Sequence, residues 1–439
     1  MNQFLGVVYC GLALFAVSSA VCADDWPQWQ GPNRDAISAE KNLRTDFAEG
    51  FRPIWTSTDC GVGYSAPAIV KGRIYLLGAT KREDGGYVEF AMALDIDGQQ
   101  IWKKPVNQYE EEILLPNWGH GPRGTPSIAE GKLYGLGANG DLFAMDAGTG
   151  EPIWQINLRR DLGGEIMGGR GEAKNVWGYS ESPLVDGGQV ICTPGGKKGS
   201  VAAIDAKTGS VIWQSTGLTD PASYTSVVLG NFGGIRQYVV LTAKRLAGLQ
   251  ATDGKVLWQA DVPLNEIAII PTPIVTPSQV YITADYGSGC SLVDVKMESG
   301  QFKADIVYSN KVMANHHGGV VLVNGHLYGW NGNTNTRGRW TCQNLATGEA
   351  IWTEEQSAKA GSLIAAEGHL YCYTQEDGEL VCIKATPEGW KETGRFTIPQ
   401  RTDLRSILGK VWTHPVIADG HLYLRDQNLL FCYDIRTST

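Results

Sequence analysis

AMDAGTGEPIW, residues 144–154, and AIDAKTGSVIW, residues 203–213, are near-copies of each other. ALDIDGQQIW (93–102), LQATDGKVLW (249–258) and CQNLATGEAIW (342–352) carry the same pattern, and two looser versions centre on Gly300 and Gly389. Each copy reads as a strand with a small residue, a tight turn ending in glycine, and a second strand closing in Trp. Aspartate or asparagine suits the start of such a turn because its side chain bonds nearby backbone amides. The turn glycines at 98, 150, 209, 254, 300, 348 and 389 stand 41 to 59 residues apart. A period in the forties with several short strands per unit reads as the blade of a β-propeller.

A second marker precedes each copy by a short hairpin: Gly72–Tyr75, Gly131–Tyr134, Gly188–Ile191, Gln237-Tyr238, Ser278–Tyr281, and GHLY at 325–328, 368–371 and 420–423. These make eight markers, so the fold expected is all-β, an eight-bladed β-propeller. The eighth unit runs out of chain before its tryptophan strand. The missing strand is expected at the other end, in EGFRPIW (49–55), which would close the ring and remove the last open sheet edge. In this register His326, His369 and His421 fill a turn position held elsewhere by Arg73, Lys132 and Gln189. They lie in three different blades on what reads as a solvated turn, whereas metal ligands must converge on one point. No metal ligand is assigned. Cys342, Cys382 and Cys432 align with Ala93, Ala144, Ala203 and Gly248 as small residues between packed blades. Cys372 and Cys382 flank a turn and are a candidate disulfide in an exported protein.

The remaining features bound the class. The 439 residues carry a net charge of −9 with no Lys/Arg run, which excludes a nucleic-acid footprint, and 55 glycines fit a turn-rich chain. Residues 1–23 read as a cleaved signal peptide: the apolar run is too short to span a bilayer and ends in Val21-Cys22-Ala23. The expected organisation is a signal peptide at 1–23, an N-terminal extension at 24–48, and the propeller at 49–439. The mature protein is expected in the periplasm or outside the cell, as a monomer without a transmembrane segment.

The Ala-x-Asp-x-x-Thr-Gly-x-x-x-Trp repeat resembles the tryptophan-docking motif of quinoprotein dehydrogenases and of the wider PQQ-like propeller superfamily, which includes the BamB-type outer-membrane assembly proteins. The opening DWPQWQGPNRDAIS (25–38) resembles the start of secreted bacterial PQQ-like repeat proteins. The resemblance implies that each motif Trp packs on the neighbouring blade. Trp102, Trp154, Trp213, Trp258 and Trp352 are then structural glue rather than ligand platforms.

Alternating strand direction sorts the loops. The A–B and C–D turns of every blade share one face and are short. The D-to-A crossings and B–C loops share the other, and there the connections are long and chemically rich. The inner-strand starts, Ala66, Thr125, Ser182, Ser226, Thr272, Gly319, Ser362 and His414, would ring a polar channel mouth. On and beside that ring stand the candidate ligand-binding residues: Trp118, His120, Arg123, Trp177, Glu181, His316, His317, Trp330, Arg337, Arg405, Trp412 and His414. This face suits a binding or scaffold module for a peptide, glycan or protein partner, or for a small molecule at the channel mouth. The alternative implied by the resemblance is a PQQ- and Ca²⁺-dependent quinoprotein alcohol or sugar dehydrogenase. In it Glu181 or Asp403 would be the base, Arg123 and Arg405 the partners of the quinone carboxylates, and Trp177 or Trp412 a wall. The vicinal cysteine pair of the alcohol-oxidising members is absent.

Overall fold

The structure, a computed structural model, describes residues 25–47, 50–110, 116–168, 177–332 and 338–437. The signal-peptide assignment, Arg337 and much of the crossing into blade three lie outside the described residues. Eight sheets of antiparallel strands follow one another around a ring, as the repeat demands. Blade one comprises Ala68–Val70, Arg73–Lys81, Tyr87–Asp95 and Gln100–Tyr109, strands A to D from the axis outward. Blade eight takes its A, B and C strands from Val416–Ala418, His421–Asp426 and Leu429–Asp434, and its outer strand from Trp55–Ser57. Trp55 pairs with Cys432, so the first and last parts of the propeller close the ring in one sheet.

The repeated motif becomes a row of side chains across each blade. Tyr75, Ala93 and Trp102 face one another on the B, C and D strands of blade one. Tyr134–Ala144–Trp154, Tyr328–Cys342–Trp352 and Tyr423–Cys432–Trp55 repeat it. The small central residue lets the two rings meet over it, with centroids 6.0–6.3 Å apart. That explains why the cysteines behave as alanines here. Cys372 and Cys382 form no disulfide, because Cys382 pairs with Tyr371 while Cys372 pairs with Val381. Offset by one residue, their side chains point to opposite faces of the pleated sheet.

Each outer-strand Trp then docks on the next blade's glycine turn. The indole N–H of Trp102 donates to Ala147 O (3.1 Å), that of Trp154 to Ala206 O (3.0 Å), and that of Trp55 to Ile96 O (2.8 Å). The turn glycine is required twice over. Gly150 has φ +73°, and a methyl group there would lie 2.7 Å from the Trp102 ring. Trp258 departs from the expectation: its N–H donates to Gln237 Oε1 within blade four (2.7 Å). Blade five extends its C–D hairpin, Gly289–Glu298 and Gln301–Asn310, so the Gly300 turn lies at the tip with open space beside it. Tyr308 replaces Trp in that blade and donates to Leu345 O of blade six (2.8 Å).

The extension packs against inner strands of the ring. Trp26 bridges Ile69 of blade one, and Ile37–Ser38 adds a parallel strand to the inner edge of blade seven. Between them the chain crosses the axis. There Arg34, 4% exposed, donates to Ser182 O, Pro183 O and Val227 O at 2.5–3.1 Å, from the inner strands of blades three and four. The channel is therefore closed from the A–B turn side. The same segment covers a GHLY turn: the Asp419 and Gly420 amides donate to the Glu40 carboxylate, and His421 is buried. His326 and His369 are partly exposed, so the solvated-turn reading holds for two of the three histidines.

Two outcomes follow. Gly150→Ala should cost about 2–4 kcal/mol, from the left-handed φ plus overpacking against Trp102, and Gly72→Ala about 1 kcal/mol. Gly72 has φ +69° and no neighbour within 4 Å, so equal losses in urea melts would contradict the docking. His326→Lys and His369→Lys should each change stability by no more than about 0.5 kcal/mol, while His421→Lys should cost about 1–3 kcal/mol.

Candidate functional site: an aromatic cavity floored by the extension

A cavity of about 140 Å³ opens on the face of the D-to-A crossings. It has room for roughly five waters or one aromatic ring with its substituents. Its wall has a simple register. Of the eight residues two positions before the inner-strand starts, Tyr64, Arg123, Ser180, Tyr224, Ile270, His317 and Trp412 line it, and Ala360 does not. Extended backbone puts alternate side chains on one side, so every crossing but the one into blade seven delivers the residue at that offset to the cavity wall. The starts themselves add Ser182, Ser226, Thr272, Gly319 and His414. The ring is tied by hydroxyls: Thr125 N donates to Ser182 Oγ (2.8 Å) and Ser182 N to Ser226 Oγ (2.9 Å). The floor is Trp29 and Gln30 of the extension. Trp29 donates to Thr272 Oγ1 (3.0 Å) and stands edge-on to His414, centroids 4.6 Å apart.

Seven of the twelve sequence-derived candidates meet here: Trp118, Arg123, Trp177, His316, His317, Trp412 and His414. Trp118 and Trp412 lie nearly parallel (18°, centroids 6.1 Å), with Trp177 edge-on to Trp118. Arg123 lies over the Tyr64 ring at 5.1 Å and donates to Gly119 O (3.1 Å), with no carboxylate partner among the described residues. Asn315 builds the turn that presents the histidines, accepting from Gly319 N and donating to Gly319 O and Trp330 O.

The remaining described candidates stand apart from the cavity. His120 stacks on Tyr87 at 4.2 Å inside the long hairpin of blade one. Trp330 is buried edge-on to Trp340 in blade six. Arg405 is held by the fully buried Asp426, and Asp403 is exposed on the crossing into blade eight. Glu181 is buried behind the ring, where Oε1 accepts the Thr193 amide (2.6 Å); burial raises its carboxyl to about 7 despite the charge of Arg34. The sequence reading missed Tyr64, Tyr224, Tyr286 and the floor. The offset of two from the inner-strand starts would have found the first two. Nothing in the sequence pattern could have placed Trp29 and Gln30 on the axis.

The cavity is weakly charged. Burial pushes His316 and His414 down to about 4 and His317 well below its usual value. His414 Nε2 lies 2.8 Å from His317 O, which can only accept, so the neutral ring carries its proton there and offers a bare Nδ1. His316 and His317 share a bond between their Nδ1 atoms (3.0 Å), and Tyr286 Oη reaches His316 Nε2 (3.1 Å). No carboxylate lines the cavity among the described residues. Calcium takes six to eight oxygens, usually with several carboxylates. The described residues therefore do not fit a Ca²⁺–quinone pair, and Glu181, spent on a backbone amide, does not repair the donor set.

The buried histidine predicts a pH response. The folded value for His414 is depressed, so below about pH 6.5 the unfolded chain takes up its proton first and stability falls as the pH drops towards 4. Glu89 and Glu181, raised to about 7, act in the opposite sense, losing stability as pH rises from 4.5 to 7. His414→Gln should thus lose less stability than wild type between pH 6.5 and 4.5, by about 1–3 kcal/mol in urea titrations. Parallel pH curves would show that His414 is hydrated.

Comparison with known proteins agrees with the fold. Residues 84–354 match the PQQ-repeat family model described as outer membrane protein assembly factor BamB. The BamB of Yersinia pestis is 25% identical over 67% of this chain and 69% of its own length; that of Nitrosomonas eutropha is 24% identical over 60% and 56%. A quinohemoprotein alcohol dehydrogenase of Pseudomonas putida is 28% identical over 34% of this chain and 19% of its own. Among solved structures, BamB from Moraxella catarrhalis covers 88% of this chain and 99% of its own at TM-score 0.57 and 15% identity. The quinohemoprotein alcohol dehydrogenase of Comamonas testosteroni covers 95% and 81% at TM-score 0.62 and 12% identity. At such identities these structures share the fold and nothing finer. The family match takes in most of the ring, from the blade-one hairpin to the outer strand of blade six, and the chain belongs to the BamB-like family of PQQ-repeat propellers.

Proposed function

We propose that the protein is an exported, non-catalytic binding propeller that receives a partner on the face of its D-to-A crossings and B–C loops. One observation carries this reading: the cavity at the centre of that face is walled by aromatic rings and, among the described residues, holds one cation and no carboxylate. Rigid aromatic anchors around a desolvated pocket are what binding hot spots are made of. The names of the BamB relatives, which are assembly factors, support a role in holding another protein. Among the described residues the cavity lacks the carboxylate oxygen donors that the calcium of the dehydrogenase alternative would need.

The test is direct. Protein incubated with PQQ and Ca²⁺ should show no alcohol- or sugar-dependent reduction of an electron-accepting dye. A photoreactive amino acid placed at Trp118 should cross-link one discrete protein in cells, and the same group at Lys132, on the other face, should not. Dye reduction with PQQ and Ca²⁺, or cross-linking at Lys132 alone, would overturn the reading.

A further inference from the structure

The crossing into blade eight carries a feature that the cavity does not explain. Leu404, Ile407 and Leu408 are exposed on it, Ile407 to 85%. They precede Trp412 on the same loop. Leu408 N donates to Asn117 O (2.9 Å), which fastens this ridge to the turn that presents Trp118. The apolar ridge is therefore tied by its backbone to the loops that carry the two parallel indoles of the cavity wall. Contiguous exposed apolar surface beside a pocket marks a docking site more often than chance exposure does.

Charge narrows the occupant. Lys410 and Arg405, on the same loop, are paired with Glu376 and Asp426. Among the described residues Arg123 is the cation of the cavity wall, and there it meets only backbone oxygens and the Tyr64 ring. Its guanidinium keeps donors for an anion, and a carboxylate suits its planar fork. A volume of about 140 Å³ takes one large side chain with that carboxylate, but not a folded domain or a long chain. A small aromatic acid would fill the cavity and leave the ridge bare.

We propose that the cavity captures the C-terminus of a peptide chain: the last side chain, bulky and apolar, sits among Trp118, Trp412 and Trp29; its free carboxylate pairs with Arg123; and the preceding apolar residues lie on the ridge of Leu404, Ile407 and Leu408. This rests on the binding reading above and gives it a ligand class. Terminal carboxylate capture is a known mode of peptide recognition, here made with a side-chain cation in place of a backbone nest.

Calorimetry on the wild-type protein tests it with three probes: a nonapeptide ending Leu-Leu-Phe with a free carboxylate, the same peptide as its C-terminal amide, and N-acetylphenylalanine. The free acid should bind at least tenfold more tightly than the amide, and more tightly than N-acetylphenylalanine. Arg123→Gln should abolish the difference between acid and amide. Ile407→Ser with Leu408→Ser, both surface changes, should weaken the nonapeptide and leave N-acetylphenylalanine unchanged. Equal binding of acid and amide would overturn the proposal, as would N-acetylphenylalanine binding as tightly as the nonapeptide, which would make this a small-molecule pocket. The comparison of probes on wild-type protein needs no variant to fold. Failure here without quinone-dependent turnover sinks the ligand class alone; turnover sinks the binding reading itself.

Discussion

An indole lying on a glycine turn is the contact from which this molecule is built. A single four-stranded blade cannot bury both faces, so its stability depends on its neighbours. In blades one, two, five and eight the outer-strand Trp or Tyr reaches across the gap, where a glycine with left-handed φ gives it space while a backbone carbonyl accepts its polar hydrogen. Small residues at 93, 144, 342 and 432 let the tryptophan lie over the sheet, so the motif's alanine, glycine and tryptophan serve one geometry. The exception supports the rule: where blade five's hairpin carries Gly300 out of reach, Trp258 finds its partner inside its own blade.

A ring of such contacts still has two openings, at the seam and along the axis. The seam is closed by Trp55–Ser57 in blade eight and by Arg425, whose fully buried guanidinium donates to carbonyls of Cys60, Gly61, Ser65 and Leu77 in and before blade one. Burial lowers its affinity for the proton to about 10, yet it stays charged at neutral pH with its donors engaged. Removing it would leave that set of buried carbonyls without donors, the costly half of the hydrogen-bond balance. Arg34 repeats the device on the axis, fixing the extension against blades three and four. Two arginines distant in sequence thus act alike. Each satisfies several buried carbonyls of inner or closing segments.

Plugging the axis converts a channel into a cup, and this decides what the site can do. A through-channel would keep its wall hydrated. With Trp29 and Gln30 as floor, the histidines above them are dry enough to be neutral, and Arg123 becomes the charge a ligand would meet. The wall is varied at little structural cost because seven of the eight crossings offer it a side chain, two residues before the inner-strand start, while hydroxyls beneath hold the backbone. Fold and recognition are carried by different residues of the same repeat, which is why family membership does not by itself specify a ligand.

The sequence by itself determined the eight blades, the seam and which loops share a face, because these follow from periodicity and from strand alternation, which are local. It placed Trp118, Arg123, Trp177, His316, His317, Trp412 and His414 on that face because they sit in long crossings between recognisable repeats. It misplaced His120, Trp330, Arg405 and Glu181, whose side chains turn into blades or onto buried partners. Whether a loop side chain points to the axis depends on contacts with chain hundreds of residues away, and these leave no period to read. The extension is the extreme case. Trp29 and Arg34 lie in a segment without repeat, and their positions are set by Thr272, Ser182, Pro183 and Val227, up to 243 residues distant. Only the tertiary structure could show that the channel has a floor, because the partners that place it are chosen by proximity across the ring and not by neighbours in the chain.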